Sequence, residues 1–214
     1  MPAPMQPMVI DLRRTDDARD VVHRAVQSLA EGLTVAFPTE TDYVVAASAR
    51  SAGAVAELVR LAVERPLEPR LSLALKSAEE ALDWAPRLSP LGQRLARRCW
   101  PGPVAMLVAD AHPESLLVRL APDVRQAVLC EDRLRLRVPG HPMLADCMRM
   151  LAGPVVLAEP GSHDSPPVTA EEAMQRCRTA GVPLGLVIDD GRARYAQPVS
   201  TVAIDDSGLR VVQA

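Results

Sequence analysis

The stretch at residues 35–47, VAFPTETDYVVAA, limits the fold of this chain more than any other part of it. Residues 33–37 form an apolar run of strand length that stops at Pro38, which has no N–H to give a ladder and so marks the strand's end. Thr39, Glu40, Thr41, Asp42 and Tyr43 follow at once, and in open α/β sheets ligands bind just beyond strand ends. The same residues also suit an ordinary polar turn, with Glu40 accepting from backbone amides.

The flanking sequence supplies elements to pack around that strand. Residues 8–12 read as a short strand, and Thr15 or Asp16 can cap a helix whose inner face is Val21, Val22, Ala25, Val26 and Leu29, with Gly32 just past its end. Ser51 caps a second helix carrying Val55, Leu58, Val59 and Ala62, which ends before Pro66. Ser77 and Glu80 have capping-box spacing, Ser89-Pro90 opens a helix with Leu91, Leu95 and Cys99 inward, and Thr169 with Glu172 opens another that reaches Ala180. A further helix is expected over 143–151. Strands are expected at 71–75, 104–108, 115–119, 134–138, 155–158, 184–188, 199–204 and 209–212. This alternation predicts an α/β fold: a twisted, mixed and mainly parallel sheet with helices packed on it, one domain over 1–214 with a loose tail at 1–7.

Composition narrows the function. A chain of 214 residues that is 48% hydrophobic can bury a core, but aromatics are only 2%, so base-stacking platforms for single-stranded nucleic acid have few candidates. The net charge of −3 gives no general pull on nucleic acid. Two local arginine groups stand out, Arg94, Arg97 and Arg98 on a helix and Arg133, Arg135 and Arg137 on one strand face; each reads as a solvated stripe or a binding patch. Cys99, Cys130, Cys147 and Cys177 are widely spaced and read as buried thiols. No apolar run approaches the ~20 residues of a membrane span and no signal peptide is visible, so a cytoplasmic protein without membrane attachment is expected. The dinucleotide fingerprint, the P-loop and the zincin motif are all missing. His23, His112 and His141 lack spaced partners, whereas His163 lies near Asp164 and Glu159.

Six short segments in order, GLTVAFPTETDY at 32–43, Arg65-Pro66, WPGP at 100–103, RVPGHP at 137–142, DDG at 189–191 and STV at 200–202, resemble the YrdC/TsaC-type threonylcarbamoyl-AMP synthase family nearly end to end. The resemblance implies a YrdC-like fold and the joining of L-threonine, bicarbonate and ATP, with Mg²⁺, into threonylcarbamoyl-adenylate with loss of pyrophosphate, the first step of tRNA t6A modification. It places Thr39 and Tyr43 at the threonine end of a cavity, and Arg65, Ser200 and Arg210 near the nucleotide with Arg137 close by. Arginine forks and hydroxyls suit such carboxylate and phosphate oxygens.

The chain departs from that pattern at Val63, where a lysine belongs, at Glu159 and Gly161, where the family has serine and asparagine, and at Ala105, where it has threonine. Arg60 or Arg70 could bring a guanidinium towards the vacant lysine position. Two readings stay open: a synthase with a reworked nucleotide pocket, or a catalytically inactive paralogue that binds a nucleotide, tRNA or double-stranded RNA and acts through partners.

Overall fold

A computed structural model describes residues 7–62, 69, 71–109, 112–161, 165–205 and 208–213. One eleven-stranded sheet runs through them. Its strands are β1 (Met8–Asp11), β2 (Val35–Pro38), β3 (Tyr43–Ser48), β4 (Ser72–Ala74), β5 (Val104–Ala109), β6 (Leu129–Cys130), β7 (Arg133–Arg137), β8 (Val155–Ala158), β9 (Leu186–Asp189), β10 (Ser200–Asp205) and β11 (Gly208–Gln213). They lie in the order β1-β9-β2-β3-β8-β4-β7-β5-β10-β11, with β6 paired to β7.

Helix ends follow the capping chemistry of the sequence. The Asp17 carboxylate accepts from the Arg19 and Asp20 amides and starts α1 (Ala18–Ala30) a residue or two later than expected. Ser51 caps α2 (Ala52–Leu61), Ser89 caps α4 (Pro90–Cys99), and Thr169 caps α7 (Ala170–Ala180) while Glu172 reaches back to the Val168 amide. His141 caps α6 (Pro142–Met150), its Nδ1 accepting from the Met143 amide.

Several expectations are corrected. The sheet is mixed, but parallel pairing is confined to β1–β9, β2–β9, β4–β7 and β5–β10, while β2–β3, β3–β8, β4–β8, β5–β7, β6–β7 and β10–β11 are antiparallel. The cause is short connections such as the 39–42 turn, which can only reverse the chain, whereas a parallel pair needs a long crossover. The strand expected at 115–119 is a 3-10 turn, because the Ser115 hydroxyl bonds locally, accepting from the Leu117 amide and donating to the Trp84 carbonyl. Glu80 accepts from the Lys76 amide instead of closing a capping box, which leaves α3 (Ala81–Trp84) a single turn. On α4 the buried positions are Gly92 and Ala96, and Leu91 faces out. Strand β3 and α5 (Pro122–Val128) have no counterpart among the expected elements. Cys147 and Cys177 are buried, but Cys99 and Cys130 are only half-buried.

The sheet has two covered faces. Helices α2, α3, α4, α5 and α7 pack against Ala36, Val45, Leu73, Met106, Leu136, Val156 and their neighbours in the larger core. Helices α1 and α6 cover the opposite face over β9, β2, β3 and β8, with Phe37, Val44, Leu157 and Ile188 beneath them. Strands β7, β5 and β10 contribute nothing to that second cluster, so the α1/α6 layer stops partway across the sheet. No described helix is long and apolar enough to cross a membrane.

Candidate functional site

Beyond the α1/α6 layer, β7 presents two arginines. Its alternation sends Leu134 and Leu136 into the larger core and turns Arg135 and Arg137 to the other face, where each is 1% exposed. The reading of this strand as a solvated stripe is therefore overturned at these two positions. A buried guanidinium is tolerated when its charge is answered, and here carboxylates and hydroxyls answer it, although Arg137 Nε and Nη1 make no hydrogen bond among the described residues. Arg137 Nη2 donates to Thr41 Oγ1 (2.9 Å), Thr39 Oγ1 (3.1 Å) and Glu40 Oε1 (3.1 Å), and its Nη1 lies 3.7 Å from Asp42 Oδ1. Arg135 Nη1 donates to Glu159 Oε1 (2.9 Å) and Ser72 Oγ (3.2 Å), and Nη2 to Thr201 Oγ1 (3.2 Å).

The polar turn after β2 is built on Thr39. Its amide donates to the Asp42 carbonyl at 2.8 Å, its hydroxyl accepts from the Thr41 and Asp42 amides, and the same oxygen lies 2.8 Å from Asp42 Oδ1. Glu40 links this turn outward: its carboxylate accepts from the Gly140 amide at 2.8 Å and its carbonyl from the Tyr195 amide at 2.9 Å. Burial pushes the Asp42 carboxyl above its ordinary value; Arg137 pulls it down but less strongly, and Glu159 adds to the rise. For Arg137 burial alone would lower the pKa, and Glu40, Asp42 and Glu159 together outweigh it, so the guanidinium sits above its ordinary value and stays charged.

A cavity of about 260 Å³ opens beside the turn, with Thr39, Glu40 and Tyr43 on one side and His141, Asp190, Arg192 and Arg194 on the other. The Tyr43 hydroxyl donates to the Gly191 carbonyl (2.7 Å) and accepts from the Asp190 amide (3.0 Å), and burial raises its pKa well above the ordinary phenol. His141 Nε2 is 3.1 Å from Asp190 Oδ2. Ala193 is buried between exposed Arg192 and Arg194, and the Arg194 guanidinium lies 5.3 Å from the Tyr195 ring centroid.

The structure thus brings Thr39, Tyr43 and Arg137 together. Arg210 on β11 pairs with Ala203 of β10 and shares the Arg135 face, exposed to solvent. Ser200 falls in register with Val104, on the Met106 and Val108 side of the sheet, so the hydroxyl that meets Arg135 comes from Thr201 instead. Ala105 is fully buried between Arg137 and Thr201 and offers no hydroxyl. Gly161 has φ +93°, and a Cβ there would meet Arg176 Nη1, which donates to the Pro160 carbonyl. Arg60 is engaged with Glu57 and with the Ala180 and Gly181 carbonyls at the end of α7. Val63, Arg65, Arg70, His163 and Asp164 lie outside the described residues.

Ser72 is not singled out by the sequence, Thr201 enters only within the STV segment, and Arg135 only within the arginine group read as a stripe or a patch. Their signal is the period-two pattern of β7 and β10 around apolar neighbours, which marks a buried opposite face only once the sheet order is known. No described group of three His, Cys, Asp or Glu side chains is arranged to hold a metal ion.

Residues 27–213 match the Sua5/YciO/YrdC family model, described as "Telomere recombination". A threonylcarbamoyl-AMP synthase of Klebsiella pneumoniae is 31% identical over 156 residues, covering 71% of this chain and 77% of the relative. One from Xanthomonas axonopodis pv. citri is 26% identical over 179 residues, covering 82% and 88%. Among solved structures, P. abyssi Sua5 complexed with L-threonine superposes with a TM-score of 0.75 at 20% identity, covering 97% of this chain and 57% of that one. E. coli YciO gives 0.73 at 19% identity, covering 97% and 94%. The chain therefore spans less than two thirds of the P. abyssi protein and nearly all of YciO.

Proposed function

The chain belongs to the Sua5/YciO/YrdC family, and from that premise we propose that it is a divergent threonylcarbamoyl-AMP synthase acting on L-threonine, bicarbonate and ATP. The observation that carries the reading is the convergence on β7: through Arg137 and Arg135 the Thr39–Asp42 turn, Thr201 of β10 and Glu159 after β8 meet on one face of the sheet. The names of relatives at 26% and 31% identity support it.

In this reading the cavity beside the turn takes the amino acid. Its volume of about 260 Å³ suits a small zwitterion, with Arg192 and Arg194 for the carboxylate and Glu40 and Asp190 for the ammonium and hydroxyl. Thr39 and Tyr43 act by holding the walls, since their hydroxyls are committed to Asp42 and to the 190–191 backbone. The nucleotide takes the β7–β5–β10 face, where Arg210 is exposed to solvent and the Ser72 and Thr201 hydroxyls hold Arg135 in place. The threonine amine forms a bond to the carboxyl carbon derived from bicarbonate and water is lost. The resulting carbamate oxygen then bonds to the α-phosphorus as pyrophosphate departs with the electron pair of the broken P–O bond. Mg²⁺ belongs to the substrate, entering on the ATP phosphates, which it neutralises while keeping several waters. The product would feed t6A modification of tRNA.

The test is pyrophosphate release together with detection of threonylcarbamoyl-adenylate by mass spectrometry. Release that requires both threonine and bicarbonate supports the reading, and its absence at millimolar substrates with folded protein overturns it. One observation favours the alternative of an inactive binding paralogue: the Thr39 and Tyr43 hydroxyls, which the resemblance puts at the threonine end, are both consumed by the protein itself. That reading expects a nucleotide or RNA to raise the melting temperature without turnover.

A further inference from the structure

Arg135 is sealed into the sheet, 1% exposed, and its strongest partner is the carboxylate of Glu159, 13% exposed and 2.9 Å away. Around them stand the hydroxyls of Ser72 and Thr201, each 3.2 Å from the guanidinium. A guanidinium and two hydroxyls are groups that would surround a bound phosphate or carboxylate, except that here the anion they hold, Glu159, belongs to the chain.

We propose that Glu159 is a built-in anion that holds the place on Arg135 which a ligand's phosphate or carboxylate group would otherwise take, so that this face selects against anionic groups at that point. The proposal rests on the reading of the β7–β5–β10 face as the nucleotide end. Glu159 follows β8 directly, and β8 is joined to β7 through β4, so its carboxylate is tethered beside Arg135 and competes as an intramolecular group, at high effective concentration. An incoming phosphate would have to displace it and then sit beside it, and two like charges at such range repel strongly. A nucleoside carries no charge for Glu159 to repel and meets no such barrier. Replacing Glu159 by Gln keeps the shape, removes the charge and turns Arg135 into an anion receptor.

Isothermal titration of the full chain with adenosine, AMP and inorganic phosphate decides the matter, using wild type, Glu159→Gln and the double variant Arg135→Met/Glu159→Gln. Wild type is expected to bind AMP no more than about threefold tighter than adenosine, because a tethered carboxylate cancels most of a charge-assisted contact. Glu159→Gln should tighten AMP roughly 10- to 100-fold, the worth of one such contact, while leaving adenosine unchanged. The double variant should lose that gain. A wild-type preference for AMP of about tenfold or more, or a Glu159→Gln affinity for AMP equal to wild type, overturns the proposal. The wild-type ratio needs no variant, so it decides the question even if Glu159→Gln fails to fold. If neither adenosine nor AMP binds any of the three proteins, the nucleotide reading fails. Inorganic phosphate then judges the inference alone, which survives only if Glu159→Gln binds it more tightly than wild type.

Discussion

Replacing Arg137 by Met tests the account of the buried turn most directly. The substitution keeps much of the stem volume and removes a guanidinium that gives three hydrogen bonds, to Thr39, Glu40 and Thr41, and faces Asp42 at 3.7 Å. Breaking a buried ion pair from one side costs about 3–5 kcal/mol, because the partner charge stays behind without compensation. Two carboxylates stay behind here, but Asp42 can escape by taking up a proton. Its pKa is already raised by burial, and Arg137 is the group that holds the rise in check. Since the folded value lies above the ordinary 3.8, the folded chain keeps a proton that the unfolded chain releases, so the Asp42 contribution falls as pH rises through the folded pKa. Removing Arg137 lifts that pKa further and moves the loss to higher pH. Urea denaturation followed by circular dichroism should therefore show a deficit of about 3–5 kcal/mol at neutral pH that shrinks on acidification, with an unchanged urea slope. A deficit below about 1 kcal/mol at neutral pH, or one that grows on acidification, would refute the reasoning.

Three further outcomes follow. Gly161→Ala puts a Cβ on a left-handed residue (φ +93°) and against Arg176, so it should cost about 1–3 kcal/mol in denaturant titration; a neutral effect would mean the loop rearranges freely. Cys147 and Cys177 are pushed up to about 12 by burial and stay protonated at pH 8, so Ellman's reagent should find Cys99 and Cys130 quickly and the other two only on unfolding. A single fast phase for all four thiols would contradict this. Arg60→Ala should leave AMP binding unchanged and lower stability by less than about 1 kcal/mol, since its guanidinium serves Glu57 and the end of α7; a weakened AMP titration would restore it to the site.

The fold was largely legible because most elements carry local signals. Asp17, Ser51, Ser89 and Thr169 cap the helices near where side-chain chemistry places them, and β2 ends at Pro38. Strand β3 escaped because residues 43–48 are buried on both faces, which leaves no alternation to read. The parallel majority was misjudged since pairing depends on which strands become neighbours, a tertiary fact. The site divides the same way. Thr39, Tyr43 and Arg137 sit in contiguous motifs that a sequence reading can single out, whereas Arg135, Ser72 and Thr201 come from three strands far apart in the chain and become one group only through the β4–β7–β5–β10 order.

That order also explains why the departures at 159 and 161 do not read as simple losses. Glu159 comes with Arg135, and the bare Gly161 comes with Arg176, whose guanidinium fills the space a side chain at 161 would need. Arg135 stays buried at least cost with a carboxylate beside it, and Gly161 could not accept a Cβ without displacing Arg176 from the Pro160 carbonyl. Each altered position is thus coupled to a partner in direct contact, where mutational effects do not add. Placing a serine at 159 alone leaves a buried cation with only hydroxyls to answer it, so the loss such a variant shows would measure the orphaned arginine rather than the function of the loop. Changes made in pairs, at 135 with 159 and at 161 with 176, help separate what this face binds from what keeps it folded.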